Sequence, residues 1–271
     1  MISINGLPSL TGLNLVDRTR DKQLEMIRSS SQHARAIEHF KENIKNVETV
    51  DQLLDDQELY SFVMRAFDLE DQIFGKGMIR KVLESNIEES GALVNRLTDT
   101  RFRDMYQEMG FGKDGQGNIN TILTSWQDRM VDRYVERQFI NNAWDGNETV
   151  ATALEFRKVA GDIENPLDIL KDRTMTSFFQ TVFGLPKQLS GLDIDKQIEI
   201  VDAKVDFEKL KDPAEVEKMI RKYVAISDAL NGTAASTNAA VQMLSMAANN
   251  SQSLIRSITV GISPISFYRG Y

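Results

Sequence analysis

The sequence predicts an almost wholly α-helical protein, and three observations support this prediction. Apolar residues recur at intervals of three and four along most of the chain, the spacing that one buried face of an α-helix produces. Few segments alternate with the period of two that is typical of β-strands. Residues 193–207 are the exception, and their pattern fits either a short strand or a poor helix. One helical stretch also occurs twice. We therefore predict an internally duplicated helical core of helix-loop-helix units, with a long C-terminal helix and an irregular N-terminal arm.

The N-terminal residues mix Gly, Pro, Ser and Leu without a sustained period, so residues 1–20 are interpreted as a flexible arm. The core is then expected to occupy residues 21–230, with a first helix that begins near Asp21. Residues 49–52 (TVDQ) have the composition of a capping box, in which Thr and Gln side chains bond each other's backbone amides. This pattern predicts a helix start at that point.

The repeated stretch lies at residues 53–72 and again at residues 169–188, an offset of 116 residues. Each copy has apolar residues at positions i, i+3, i+4, i+7 and i+8, which is more typical of a buried core than of a ligand site. The two stripes are Leu59, Phe62, Val63, Ala66 and Phe67, and Met175, Phe178, Phe179, Val182 and Phe183. We predict repeat units at about residues 49–111 and 165–228, joined by linking helices within residues 119–160.

The C-terminal part of the chain is predicted to bind a partner. Residues 229–255 carry no charge and are rich in Ala, Ser, Asn, Thr and Gln. Apolar residues recur there every seven positions, a spacing that favours packing against another helix, although the small and polar members make the seam weak. We expect residues 231–271 to form an uncharged helix and tail. The predicted partner-binding residues are Leu230, Val241, Leu244, Ile255 and Ile258.

The composition excludes several classes of function. Lys and Arg number 32 against 40 Asp and Glu, a net charge of −8, and no basic stripe is present that could bind nucleic acid. The chain has no cysteine, which excludes disulfides, thiolate metal sites and cysteine nucleophiles. The first residues lack the features of a secretory signal, and no run of about 20 apolar residues exists to span a bilayer. We expect neither a signal peptide nor a transmembrane segment.

No pattern of residues indicates catalysis or metal binding. His33 and His39, the two histidines, are six residues apart and so lie on different faces of a helix, where a solvated role is expected. Residues 113–118 (KDGQGN) begin like a calcium loop, but Ser125 stands where the loop requires a bidentate glutamate, so a turn is expected. We predict no catalytic residue, no cofactor, no metal site and no enzymatic activity.

Three segments carry a family resemblance. They are residues 53–71 (LLDDQELYSFVMRAFDLED), residues 94–111 (VNRLTDTRFRDMYQEMGF), and residues 131–186, which include the helix ALEFRK at 153–158. Together they make residues 45–230 resemble the alphaproteobacterial domain-of-unknown-function 1217 family. The resemblance implies no activity and no catalytic residues. It does imply a bacterial protein whose gene lies among flagellar genes.

These features lead us to expect a flagellum-associated structural or protein-interaction protein that serves motility and is exported through the flagellar apparatus or acts at its base. Its expected partners are other flagellar or export-apparatus proteins, or a second copy bound through the C-terminal helix. The alternative is a cytoplasmic adaptor or export chaperone, whose acidic helical surface would suit a basic or aggregation-prone client.

Overall fold

The computed structural model describes residues 2–230, and this part of the chain is helical without a β-strand, which confirms the predicted all-α class. Residues 193–207 also form helix and turn. The helices are α1 (Ser9–Ser29), α2 (Ser31–Asn43), α3 (Val50–Asp55), α4 (Gln57–Ala66), α5 (Lys76–Leu83), α6 (Leu93–Arg96), α7 (Thr100–Met109), α8 (Thr124–Gly146), α9 (Glu148–Val159), α10 (Pro166–Leu170), α11 (Arg173–Phe183), α12 (Ile194–Asp202) and α13 (Pro213–Leu230). The predicted helix and tail at 231–271 lie outside the described residues.

The N-terminal arm is shorter than predicted, because α1 includes residues 9–20. Gly12 explains the difference. A Cβ atom at Gly12 would lie 3.3 Å from the side chain of Val150, so the glycine allows α1 and α9 to approach closely. Leu13, the next residue, is 1% exposed. A glycine that favours a loop in the sequence is therefore a packing residue inside a helix, and the irregular arm is confined to residues 2–8.

Two stacks of three aromatic rings lie within the core. The stacks are Phe40, Phe62 and Tyr134 from α2, α4 and α8, and Phe156, Phe178 and Tyr223 from α9, α11 and α13. Neighbouring ring centroids within the stacks lie 3.9–4.6 Å apart. Rings this close contribute about 0.5–1.5 kcal/mol per pair beyond the area that they bury. The stripes predicted from the repeat are thus core-forming, and each stack joins three helices.

Local structure recurs at an offset of 116 residues. Two short helices begin with capping boxes, two longer helices begin with an aspartate cap, and the longer helices are followed by a residue with positive φ. The corresponding pairs are Thr49 and Asn165, Asp56 and Asp172, and Asp68 (φ 60°) and Gly184 (φ 64°). The capping box predicted at 49–52 is confirmed. The correspondences agree with an internal duplication, which itself stays a prediction.

None of the helices within residues 2–230 is both long enough and apolar enough to cross a membrane.

Candidate functional site

The two ends of the described chain meet at one junction. Pro8, which precedes α1, offers no side-chain cap. Instead the carboxylate of Asp228, near the end of α13, accepts hydrogen bonds from the backbone N–H groups of Ser9 at 3.0 Å and Leu10 at 3.3 Å. The first N–H groups of a helix have no acceptor within the helix, and the oxygens of Asp228 supply one for two of them. Asp228 is itself buried, at 7% exposed. The start of α1 is therefore fastened to the end of α13.

Asn147 extends this junction to α9. Its side-chain oxygen caps α9 by accepting from the N–H of Val150 at 3.1 Å, and it also accepts from the Ser9 hydroxyl at 3.4 Å. Its side-chain nitrogen donates to the carbonyl oxygen of Leu7 at 3.3 Å. One asparagine thus holds the N-terminal segment against the start of α9.

The segment predicted to bind a partner begins at this junction. Leu230, the last residue of α13, is 70% exposed. The other predicted partner-binding residues, Val241, Leu244, Ile255 and Ile258, lie outside the described residues. Leu230, the last described residue, stands two positions after Asp228, which bonds the first turn of α1.

A second candidate site is a cleft of about 530 Å³ between α1, α8 and α9, which we call the α1/α8/α9 cleft. A smaller depression continues from it between α1 and α8 and shares several of its residues. The residues that line the cleft are Arg20, Asp132, Arg133, Glu136, Leu154, Arg157 and Lys158. Six of these seven side chains are charged, so their pairing decides what the cleft can bind.

Both acidic residues of the cleft are engaged by arginines of α1. Glu136 pairs with Arg20 at 2.5 Å, and Asp132 pairs with Arg28 at 2.6 Å. These pairs join α1 to α8 across the cleft. Neither carboxylate is therefore an uncompensated negative charge.

Two of the cleft's arginines are also paired. Arg157 donates to Glu217 at 2.5 Å and to Asp17 at 2.8 Å, linking α9 to α13 and α1. Arg133 pairs with Asp104, and its guanidinium lies over the Phe67 ring at 4.1 Å. Because arginine is planar and its donors are fixed, these contacts orient both side chains.

Lys158 differs from the other cations of the cleft. Its side chain has no ion pair or hydrogen bond with any residue in the range 2–230, although it is exposed to solvent within the cleft. Burial by surrounding protein atoms lowers the pKa of Lys158. The negative charges of Glu155 and Asp68 raise this pKa, and the positive charges of Arg137 and Arg133 lower it. Its ammonium can donate up to three hydrogen bonds to an anion.

A buried ion network lies behind Lys158. The Arg137 side chain, 4% exposed, pairs with Glu155 at 2.6 Å and with Asp68 at 3.0 Å. Burial raises the pKa of Asp68, which the charge of Arg137 only partly offsets. Arg101 also donates to the Asp68 carbonyl oxygen. Glu155 and Asp68 are thus already committed to arginine, and neither forms a direct pair with Lys158.

The histidines are not simply solvated, as the sequence led us to expect. His39 pairs with Asp56 at 2.9 Å and so joins α2 to the start of α4, while the Nδ1 atom of His33 lies 2.8 Å from the Tyr134 hydroxyl. Both contacts join residues that are far apart in sequence, which the helical pattern alone does not reveal. Within residues 2–230, no group of three or more His, Cys, Asp or Glu is placed to hold a metal ion.

Sequence reasoning missed the cleft and the junction. Acids and arginines alternate at positions 132, 133, 136 and 137, which indicates a charged face on α8. This pattern was the available signal for the cleft. It does not identify the partners of those charges, which come from α1, α7 and α9.

The family is decided by residues 66–216, which match the family model described as protein of unknown function, DUF1217. This match covers more than half of the chain. The chain belongs to the DUF1217 family. The resemblance inferred from the sequence is thereby confirmed, and a search among curated proteins finds no match. The matched range of this DUF1217 protein contains most of the cleft, whereas the junction residues Ser9 and Asp228 lie outside it.

One solved structure supports the fold of this DUF1217 chain. It is the crystal structure of protein AGR_C_984 from Agrobacterium tumefaciens, which is 27% identical and superposes with a TM-score of 0.72. The comparison covers 83% of this chain and 95% of the Agrobacterium chain. The two proteins therefore share one helical architecture over nearly the whole of the Agrobacterium protein.

Proposed function

We propose that this protein is a non-catalytic structural or protein-interaction component of the bacterial flagellum that serves motility. In this proposal it is exported through the flagellar apparatus or acts at its base. Its partners are other flagellar or export-apparatus proteins, or a second copy bound through residues 231–271.

The observation that carries the proposal is the junction of the chain ends. Asp228 fastens the end of α13 to the first turn of α1, so the core is held in place directly before the segment that we propose binds a partner. A segment with heptad spacing gains little by itself in water, because a single helix cannot bury both of its apolar seams. Anchored to a folded core, the same segment can present those seams to a partner. The flagellar context comes from the family resemblance.

The test follows the protein in the bacterium that encodes it. The full chain and a chain that ends at Leu230 are each expressed in the wild type and in a strain that lacks the flagellar export ATPase. Cells, sheared filaments and culture fluid are then compared, with a cytoplasmic marker as the control for lysis. We expect the full chain outside the cell or in the flagellar fraction of the wild type only, and the shortened chain to be lost from that fraction.

Retention of the full chain in the cell in both strains would overturn the export proposal. That result would favour the cytoplasmic adaptor or export chaperone, and the next step would be to identify the client that the full chain binds and the shortened chain does not.

A further inference from the structure

The α1/α8/α9 cleft is lined by one cation, Lys158, whose side chain forms no ion pair or hydrogen bond within residues 2–230. Its arginines and acids are paired with one another or with neighbouring helices. The ion pairs of Arg20, Arg28 and Arg157 have N–O distances of 2.5–2.8 Å. Lys158 is the exception in a cavity of about 530 Å³. A positive charge in a concave site attracts anions more strongly than the same charge on a convex surface, because the low-dielectric walls focus its field.

We propose that the α1/α8/α9 cleft is a binding site for a single carboxylate group, with Lys158 as the residue that binds it. The carboxylate would come from a small organic acid or from a polypeptide side chain or chain end. The proposal does not depend on the flagellar function, because the cleft lies on the core and the predicted partner segment lies beyond Leu230.

Charge balance favours a carboxylate over a phosphate or a nucleic acid. One ammonium is matched by one negative charge, and a carboxylate oxygen accepts its N–H groups in a charge-assisted hydrogen bond. A phosphate dianion would place a second negative charge beside Asp132 and Glu136, whose arginines are already engaged. A polyanion would in addition meet a protein of net charge −8.

The charges around Lys158 are of both signs. Burial lowers the pKa of Lys158, Glu155 and Asp68 raise it, and Arg137 and Arg133 lower it further, so the overall direction is downward. A bound carboxylate would reverse that effect and raise the pKa of Lys158, since an adjacent negative charge favours the ammonium form. Leu154 supplies an apolar wall for the methylene groups that accompany the carboxylate.

The experiment measures the NMR signals of the lysine side chains in the full-length protein during titration with acetate, with an acetylated and amidated Gly-Asp-Gly peptide, and with inorganic phosphate. Lys158 is assigned with the variant Lys158→Met. Lys218→Met is the matched control, since Lys218 is an exposed lysine that pairs with Glu215 at 2.5 Å. We expect a saturable change at Lys158 with a dissociation constant of about 1 mM or lower for a carboxylate.

Because Lys158→Met lacks the reporting signal, the affinities of both variants are measured by calorimetric titration with the same ligands. A loss of at least about tenfold in affinity is expected in Lys158→Met and none in Lys218→Met, as for removal of one charge-assisted contact. Saturation by acetate would identify a small acid as a sufficient ligand, and saturation by the peptide alone would identify a polypeptide carboxylate. No saturation by either at about 10 mM, or tighter binding of phosphate than of both carboxylates, would overturn the proposal.

Discussion

At the scale of single residues, two equivalent aspartates have different surroundings. Asp56 caps α4 and accepts from the N–H of Leu59 at 2.9 Å, and Asp172 caps α11 and accepts from the N–H of Met175 at 3.1 Å. Asp56 alone of the pair also contacts a histidine, His39. Burial raises the pKa of Asp56, but the hydrogen bonds from Leu59 and His39 outweigh it, so the pKa lies below its ordinary value of 3.8.

This difference predicts unequal costs for one substitution. Asp172→Ala removes a cap and should destabilise the protein by about 0.5–2 kcal/mol. Asp56→Ala should lower the free energy of unfolding by more, because it also removes the contact with His39 and the joint between α2 and α4. Both free energies are measured by denaturant unfolding at neutral pH, with the two variants as each other's control.

The additional cost of Asp56→Ala should depend on pH. Because the folded protein lowers the pKa of Asp56, the ionised carboxylate contributes stability above the pKa of the unfolded chain, 3.8, and this contribution is lost as the pH falls through the lower folded value. The difference between wild type and Asp56→Ala should therefore shrink when unfolding is repeated near pH ~3. A cost that is unchanged at that pH would show that the carboxylate's charge does not stabilise the fold.

At the scale of helices, the two longer repeat helices end in the same way with different residues. Gly184 follows α11 with φ 64°, and its backbone N–H bonds Gln180. Asp68 follows α4 with φ 60°, a conformation that aspartate adopts more readily than most residues, and its carboxylate faces Arg137. The end of α11 depends on the absence of a side chain at Gly184. At the end of α4, the side chain of Asp68 takes part in the ion network behind the cleft.

The substitution Gly184→Ala measures the energetic cost of the left-handed backbone conformation at this helix end. A Cβ atom at Gly184 would meet no atom within 4 Å, so no clash contributes, and the left-handed backbone alone should destabilise the protein by about 1–2 kcal/mol. Gly77→Ala is the matched control. Gly77 lies in α5 with equally open space and no positive φ, and alanine there should stabilise the protein by about 0.5–1 kcal/mol. Denaturant unfolding that gave both variants the same sign would contradict the assignment of the helix end.

At the scale of the whole molecule, the sequence predicted what depends on neighbouring residues. The all-α class follows from periodicity, and the start of α3 follows from the capping pattern at Thr49. The start of α1 was missed because Gly12 serves a contact with Val150, far along the chain. The periodic part of the fold was therefore predictable, and the close contact that defines its first helix was not.

The candidate sites were missed for the same physical reason. The junction joins residues 219 apart, Ser9 and Asp228, and the cleft is formed by ion pairs between α1, α8 and α9. The junction leaves no local pattern, and the charged pattern along α8 does not identify the partners of its charges, since any of the chain's 40 acids could pair with any of its 32 basic residues. Only Leu230 among the predicted partner-binding residues could be located, and it lies at the junction.

The junction makes the boundary between core and partner segment testable to within three residues. A chain that ends at Leu230 keeps Asp228 and should unfold at the temperature of the full chain, since Leu230 is 70% exposed. A chain that ends at Ser227 leaves the N–H groups of Ser9 and Leu10 without their acceptor. That loss should cost about 1–3 kcal/mol, which lowers the midpoint by several degrees for a chain of this size.

Asp228→Ala in the full chain is the control that separates the carboxylate from the removed residues. It should reproduce most of the loss seen in the chain that ends at Ser227, with faster amide hydrogen exchange concentrated in the first turn of α1. If instead the chain that ends at Leu230 is destabilised as much as the shorter one, residues 231–271 stabilise the core. The C-terminal segment would then be part of the fold, and the proposal that it is free to bind a partner would fail.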